Sequence, residues 1–145
     1  MSIRSGLRLV DERLETSKGA VVRGLHYQLT RPQARLIRVI SGSVFVVAVD
    51  MRRSSPEFSY PTCLELTEEG RQAVWVPEGY ACGYMTLREG ARVLIKSSER
   101  EDTRFACTLL WNDPDLGIEW PSFENVVVNE RDQRGKPFAL AESFE

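Results

Sequence analysis

The sequence has few of the residues that bind metal ions or build disulfide frameworks. It contains one histidine, His26, and three widely spaced cysteines, Cys63, Cys82 and Cys107. An odd number of dispersed cysteines does not suit a disulfide framework, and their spacing does not match a zinc site. We therefore expect free thiols, no bound metal and no other cofactor.

Long hydrophobic segments and an excess of one charge are also missing. The longest apolar run, residues 44–49, is far shorter than the roughly 20 residues that cross a membrane. Residues 1–6 lack the apolar core of a secretory signal. The 19 basic and 21 acidic residues give a net charge of −2, which argues against nucleic-acid binding. These absences predict a cytoplasmic protein without membrane or nucleic-acid partners.

What the sequence does contain is a series of short apolar runs. Gly, Pro, Asp and Ser interrupt them at intervals of about 8–12 residues, which is typical of β-sandwiches and barrels. The 145 residues match the size of one domain, so we predict a single domain over residues 1–145. The predicted strands, many of them rich in β-branched or aromatic residues, span residues 20–26, 34–41, 42–50, 61–66, 73–76, 81–87, 92–98 and 109–111.

Turn signals and one short helical segment complete the predicted fold. The tripeptide Ser41-Gly42-Ser43 predicts a hairpin turn between the second and third strands. A brief helix is expected near residues 129–134. Eight short antiparallel strands suit a jelly roll, and the predicted fold class is all-β, a sandwich or barrel of this kind.

His26 is the only side chain whose ordinary pKa suits acid–base chemistry near neutral pH. It lies in a predicted strand between Leu25 and Tyr27. A single histidine in such a place is more often structural than catalytic, so its position alone leaves both interpretations open.

Five segments together carry a resemblance to a known family. They are residues 22–28 (VRGLHYQ), 37–52 (IRVISGSVFVVAVDMR), 75–81 (WVPEGYA), 111–114 (WNDP) and 116–121 (LGIEWP). In this order they resemble the dTDP-4-keto-6-deoxyglucose 3,5-epimerases, also called dTDP-4-dehydrorhamnose 3,5-epimerases. The resemblance covers roughly residues 18–137 and implies a cupin-type jelly roll.

The resemblance implies a catalytic dyad and a neighbouring cation. In the family, the histidine at the position of His26 removes the proton alpha to the C4 ketone, and an aspartate at the position of Asp132 orients it. Arg35 stands where the family has a lysine that stabilises the developing oxyanion, and a guanidinium supplies the same charge with different geometry. A solvated Asp132 and an exposed Arg35 remain alternatives.

The resemblance also implies a substrate site for a nucleoside-diphosphate 4-keto-6-deoxy sugar. Arg23 and Arg131 match basic positions of the family, and arginine binds diphosphate through bidentate hydrogen bonds, with an ordinary surface charge as the alternative for each. Gln28 closes the segment that contains His26 and is predicted to contact the substrate. Cys82 replaces the histidine of an alanine-histidine-glycine-aromatic motif and is predicted to line the site, with a small buried core residue as the alternative.

The sequence departs from the family at the position of the catalytic acid. The family's catalytic acid is a tyrosine, but residues 97–110 contain none, and ungapped alignment places Arg100 or Glu101 at its position. Arg100 is therefore predicted to bind substrate, because a guanidinium is a poor proton donor. Nearby carboxyl groups donate a proton only with a raised pKa. The family's N-terminal arm, which reaches the neighbouring subunit's nucleotide, has no counterpart before Leu9.

These features predict an epimerase that inverts C3 alone in a nucleotide-linked 4-keto-6-deoxy sugar, within O-antigen or other deoxysugar biosynthesis. One alternative is a sugar-nucleotide ketoisomerase or tautomerase, which moves a proton on a single face. The other is a catalytically degenerate cupin that binds a nucleotide sugar or a partner enzyme. A homodimer is expected because family members pair through edge strands. The sequence leaves dTDP, CDP and GDP open as the nucleotide.

Overall fold

The computed structural model describes residues 7–145, and of Arg88 the backbone alone. Eight strands, one short α-helix and two 3₁₀ turns make up this part of the chain. In chain order the strands are β1 (Asp11–Ser17), β2 (Val21–Gln28), β3 (Arg35–Asp50), β4 (Pro61–Thr67), β5 (Ala73–Val76), β6 (Tyr80–Ser97), β7 (Ala106–Thr108) and β8 (Val127–Val128). The helix α1 is Glu130–Gln133, and the 3₁₀ turns are Pro114–Leu116 and Phe138–Leu140.

Strands β3 and β6 form the centre of the sheet. They pair antiparallel along nearly their whole length, from Arg35 opposite Ser97 to Asp50 opposite Tyr80. Strand β1 pairs with the C-terminal half of β6, and β5 pairs with the N-terminal half of β3. Strands β2 and β4 flank the other halves, and β7 and β8 extend the sheet beyond β2. The sheet therefore has two halves that share their central strands.

The two halves of the sheet face each other across the main core. Buried side chains from both halves of β3 and β6 pack into one cluster, together with residues of β4 and β5. The cluster contains Ile37, Val39, Val44, Val46, Ala48, Leu66, Val76, Cys82, Tyr84, Ala91 and Val93. Since residues from both halves bury the same apolar surface, the sheet curls into a sandwich. This confirms the predicted all-β jelly roll.

The tripeptide Ser41-Gly42-Ser43 does not form the predicted hairpin turn. Strand β3 continues through it, and the pairing of β3 with β6 shifts register on both sides of Gly42. Gly42 has φ 82°, and a Cβ there would lie 2.2 Å from the carbonyl oxygen of Gly90. Glycine at positive φ suits a β-bulge as well as a turn. The predicted strands 81–87 and 92–98 likewise join into β6, with Gly90 at φ 82°.

Two further predictions about strands need correction. Strand β1 was not predicted, because its residues DERLETS are mostly charged or polar and only pairing with β6 makes them a strand. The predicted strand 109–111 is replaced by β7, and Leu109 forms an isolated bridge with Lys136. The expected short helix is confirmed as α1, where the Asn129 side chain accepts a hydrogen bond from the backbone N–H of Asp132 at 2.8 Å.

The remaining sequence-based expectations concern thiols and membranes. Cys63, Cys82 and Cys107 are free thiols; the first is exposed, the second buried and the third half-buried. Within residues 7–145, no helix has both the length and the apolar character needed to cross a bilayer.

Candidate active site

A cavity of about 240 Å³ lies between the two halves of the sheet. Alternate residues of β1 line it, together with residues of β2, β3, β6, the loop before β7, β7 itself and α1. Its polar and charged lining includes Asp11, Arg13, Glu15, Arg23, His26, Gln28, Arg35, Cys82, Tyr84, Glu101 and Arg131. The cavity thus brings the only histidine together with four arginines.

A close contact between two glycines places His26 in this cavity. Gly24 has φ 131°, and a Cβ on Gly83 would lie 2.2 Å from the carbonyl oxygen of Arg23. The backbones of β2 and β6 approach closely there, which only glycine allows. The register of the two strands shifts between Arg23 and His26, and His26 then pairs with Cys82.

His26 forms the predicted dyad with Asp132. Its Nε2 lies 2.7 Å from Oδ1 of Asp132, which is fully buried. The other carboxylate oxygen accepts hydrogen bonds from the Gly24 N–H at 3.0 Å and the Asn129 amide at 3.2 Å. Burial alone would raise the pKa of Asp132, but the hydrogen bonds from His26 and Gly24 and the charge of Arg131 hold that pKa below its ordinary value.

The ionised Asp132 determines which nitrogen of His26 keeps a lone pair. A carboxylate accepts hydrogen bonds, so Nε2 carries the proton and Nδ1 is left with its lone pair. Arg131 Nη2 also lies 2.9 Å from Nε2, and Arg131 Nε lies 3.4 Å from Asp132 Oδ1. A guanidinium has only donors, so its approach to Nε2–H places a positive charge beside the dyad and forms no second hydrogen bond.

Arg35 places the positive charge of its own guanidinium next to the dyad. Its Nη1 donates to the His26 carbonyl oxygen at 3.2 Å and to Cys82 Sγ at 3.0 Å. Its Nη2 donates to Gln33 Oε1 at 2.8 Å. These three contacts fix the guanidinium plane at the cavity wall. A fixed positive charge there suits an oxyanion that develops beside His26.

Strand β1 supplies functional candidates that sequence reasoning missed. Asp11, Arg13 and Glu15 all line the cavity. Glu15 Oε1 accepts a hydrogen bond of 2.7 Å from the hydroxyl of buried Tyr84, whose pKa burial raises far above its ordinary value. The signal that could have revealed them is the alternation of charges at residues 11, 13 and 15, which places three ionisable groups on one face of a strand.

Two of the predicted substrate contacts have well-defined hydrogen-bond partners of their own. Arg23 donates through Nε and Nη2 to Ser17 Oγ at 3.2 and 3.1 Å. The Gln28 amide nitrogen donates to the carbonyl oxygens of Arg31 at 3.1 Å and Arg100 at 3.2 Å, and its oxygen accepts from the Asp102 N–H at 2.7 Å. Gln28 therefore lines the cavity and also holds the loop that follows β6.

Only one of the two residues at the position of the family's tyrosine lies in the cavity. Arg100 is exposed and does not line the cavity; it lines a neighbouring surface depression, to which Glu101 also contributes. Glu101 lines the cavity, accepts a hydrogen bond of 2.9 Å from Arg13 Nη2 and lies 3.7 Å from Arg131 Nη1. The structure thus brings together all of the predicted site residues except the side chain of Arg100.

A buried carboxylate that orients a histidine, facing a cavity lined by arginines inside a jelly roll, defines a cupin-type acid–base site. Such a site suits proton removal beside a carbonyl group. The sequence model of dTDP-4-dehydrorhamnose 3,5-epimerase matches residues 2–139. The chain belongs to this family.

Relatives of known name agree with this assignment. The dTDP-4-dehydrorhamnose 3,5-epimerase of Pseudomonas aeruginosa is 38% identical over 135 residues, which cover 93% of this chain and 75% of that protein. The family match begins at residue 2, earlier than the start near residue 18 that the sequence motifs indicate. It therefore includes β1.

Solved structures show the same fold and carry sugar nucleotides. The dTDP-6-deoxy-D-glucose-3,5-epimerase of Legionella pneumophila, in complex with dTDP-4-keto-L-rhamnose, superimposes with a TM-score of 0.90 and 33% identity, covering 93% of this chain and 72% of that one. A 3′-monoepimerase of Streptomyces bikiniensis, in complex with dTDP-quinovose, has a TM-score of 0.86 and 25% identity, covering 92% of this chain and 68% of that one. The expectation of a sugar-nucleotide epimerase is supported by these relatives.

Proposed function

We propose that this protein epimerises a nucleoside-diphosphate-linked 4-keto-6-deoxy sugar at C3 alone, in cell-surface polysaccharide or other deoxysugar biosynthesis. The observation that carries the proposal is the His26–Asp132 dyad at 2.7 Å, facing a cavity that also contains Arg35. The relatives support the substrate class, because the Legionella and Streptomyces proteins were solved with dTDP sugars.

The geometry supports a proton abstraction at the carbon next to the C4 ketone. Nδ1 of His26 takes the proton, and the C–H electron pair moves toward the carbonyl carbon while the carbonyl oxygen gains negative charge. The Arg35 guanidinium stabilises that oxyanion. Asp132 stabilises the imidazolium that forms and keeps the ring in its orientation. Return of a proton to the opposite face of the same carbon inverts the centre.

Inversion of one centre rather than two follows from the missing tyrosine. A proton must reach the enolate from the face opposite His26. Glu101, one of the two residues that ungapped alignment places at the tyrosine, is a carboxylate paired with Arg13 and Arg131. The remaining phenols of the lining donate elsewhere: Tyr84 to Glu15, and Tyr27 to the carbonyl oxygen of Glu142 at 2.6 Å. We assign to water the proton that returns to the enolate on the face opposite His26.

The size of the cavity suggests to us that it holds only part of the substrate. Its volume of about 240 Å³ is below the roughly 300–1,000 Å³ of ordinary ligand pockets. We assign the sugar ring to the cavity, beside Cys82, and the diphosphate to Arg23 and Arg131. The exposed Arg100 is then a contact for the part of the nucleotide that extends beyond the cavity.

Proton exchange measured by NMR tests this function. We expect the wild-type protein to incorporate deuterium from D₂O at C3 of dTDP-4-keto-6-deoxyglucose. The His26→Ala variant should lose about 10²–10⁴-fold of this rate, and Asp132→Asn should lose less, while dTDP binding by both variants stays close to wild type. Exchange in His26→Ala at the wild-type rate would refute the role of the base.

The same experiment separates the competing functions. The absence of a phenol in residues 97–110 favours the ketoisomerase as the second candidate, since a single base can move a proton along one face. That activity would convert the 4-ketone into a 3-ketone, which carbon NMR distinguishes from an inverted centre. Binding of dTDP by the wild-type protein without any exchange would instead indicate a catalytically degenerate binding module.

A further inference from the structure

We propose that Glu101 is an internal competitor of the substrate's diphosphate, because it occupies the two arginines, Arg13 and Arg131, that an anionic ligand in this cavity would use. This inference rests on the proposed function and adds Arg13 to its diphosphate site. It concerns the affinity of the site for nucleoside diphosphates and not the proton transfer at His26.

Three elements bring these charges together at the rim of the cavity. Arg13 comes from β1, Glu101 from the loop after β6 and Arg131 from α1. Arg13 Nη2 lies 2.9 Å from Glu101 Oε2, and Arg131 Nη1 lies 3.7 Å from Glu101 Oε1. The side chains of Arg13, Glu101 and Arg131 are 51%, 32% and 55% exposed. All three residues line the cavity and also reach solvent, so a ligand can contact them as it enters.

Glu101 is the carboxylate in this group that can leave its partners. Glu15 is 3.8 Å from Arg13 but also accepts the Tyr84 hydroxyl, and Asp132 is held by His26, Gly24 and Asn129. In the part of the chain that the structure describes, the hydrogen-bond and ion-pair partners of Glu101 are the two arginines. Displacing Glu101 therefore breaks no hydrogen bond between His26 and Asp132.

The physical basis of the competition is the match between guanidinium and phosphate. A diphosphate carries more negative charge than one carboxylate and forms bidentate bonds with guanidinium groups, so it can replace Glu101. Its net gain is reduced by the ion pairs that it breaks. Each solvent-exposed pair contributes a factor of about 1.5 to 5 to an equilibrium constant. Removing the carboxylate should then tighten diphosphate binding by about three- to tenfold.

Calorimetric titration with dTDP, repeated with inorganic pyrophosphate, tests the inference in the full-length protein. We expect Glu101→Gln to bind both probes about three- to tenfold more tightly than wild type at low ionic strength, with a smaller gain at higher salt. The double variant Arg13→Gln/Glu101→Gln should lose this gain. Glu12→Gln is the matched control, because it removes the same charge from an exposed residue of β1. Glu12 is 64% exposed and pairs with Lys96.

The possible results separate this inference from the proposed function. Equal or weaker dTDP binding by Glu101→Gln, with wild type still binding dTDP and exchanging the C3 proton, would overturn the competition alone. An equal gain in Glu12→Gln would reduce the effect to net charge and overturn it as well. Failure of every protein to bind dTDP at millimolar concentration would refute both the competition and the nucleotide-sugar function.

Discussion

Ungapped alignment places Arg100 or Glu101 at the family's catalytic tyrosine, and of these two residues Glu101 is the one that lines the cavity. A phenol has an ordinary pKa near 10 and can donate its proton at neutral pH. A carboxylate paired with two guanidinium groups, as Glu101 is with Arg13 and Arg131, accepts hydrogen bonds. We therefore expect Glu101, while it is paired with these arginines, not to donate a proton to the substrate.

A tyrosine at position 101 should add proton exchange at C5 of the sugar. We expect Glu101→Tyr to accelerate deuterium incorporation at C5 of dTDP-4-keto-6-deoxyglucose by about tenfold or more, since a positioned acid contributes about 10²–10⁴-fold when its geometry is good. The measurement is NMR in D₂O at saturating substrate, so that a change in affinity does not affect the rate.

Arg100→Tyr is the control for this experiment. The Arg100 side chain is exposed and lies outside the cavity, so a tyrosine there should leave the C5 exchange at the wild-type rate. Rapid exchange at both C3 and C5 in the wild-type protein would refute inversion of a single centre.

At the scale of the elements, the close approach of the paired strands β2 and β6 sets the geometry of the site. Gly24 and Gly83 let the two backbones meet, and a Cβ on Gly24 would lie 2.8 Å from the Cα of Gly83. The same segment of β2 provides His26 and the Gly24 N–H that binds Asp132. The close approach of the two strands and the His26–Asp132 pair are therefore parts of one arrangement.

Gly83→Ala should disturb both stability and activity. Its Cβ would lie 2.2 Å from the carbonyl oxygen of Arg23, and overpacking of this kind costs about 1–3 kcal/mol or more. We expect the free energy of unfolding in urea to fall by about that amount, and the C3 exchange rate to fall because β2 moves.

Gly70→Ala is the matched control for Gly83→Ala. Gly70 is exposed, and a Cβ there would be 3.2 Å from the Oγ1 of Thr67, the far end of a side chain. This variant should lie within about 0.5 kcal/mol of wild type. Similar stabilities for the two variants would show that the close approach of β2 and β6 does not constrain the fold.

At the scale of the whole molecule, the outer strands have edges and apolar side chains that face solvent. Strand β1 pairs only with β6, and β4 only with β3, among the described residues. Leu14 on β1 is 49% exposed and Leu64 on β4 is 43% exposed. Unpaired edges that carry apolar residues benefit from a partner.

We therefore expect the protein to be a homodimer, the commonest symmetric assembly of soluble proteins. Sedimentation equilibrium at micromolar concentration should give about twice the chain mass of 16.5 kDa. Dilution over a hundredfold range should leave this mass unchanged if the interface is large. A monomeric mass at micromolar concentration would contradict the prediction.

The sequence by itself determined the β class, most strand positions and, through the family's motifs, the members of the dyad. The β class and the strand positions depend on local patterns, such as the β-branched runs of β3, whereas the dyad is implied by the resemblance that segments such as VRGLHYQ carry. Short-range patterns are sufficient there because each strand must bury one face.

Only the tertiary structure decided the features that depend on distant pairing. It showed that β3 continues through Gly42 as one strand and that the polar segment Asp11–Ser17 is a strand. It also placed Glu101 rather than Arg100 in the cavity. His26 and Asp132 are 106 residues apart in the chain, yet they meet at 2.7 Å. The physical reason is that strand register and loop direction are set by contacts between segments far apart in sequence, which no local pattern records.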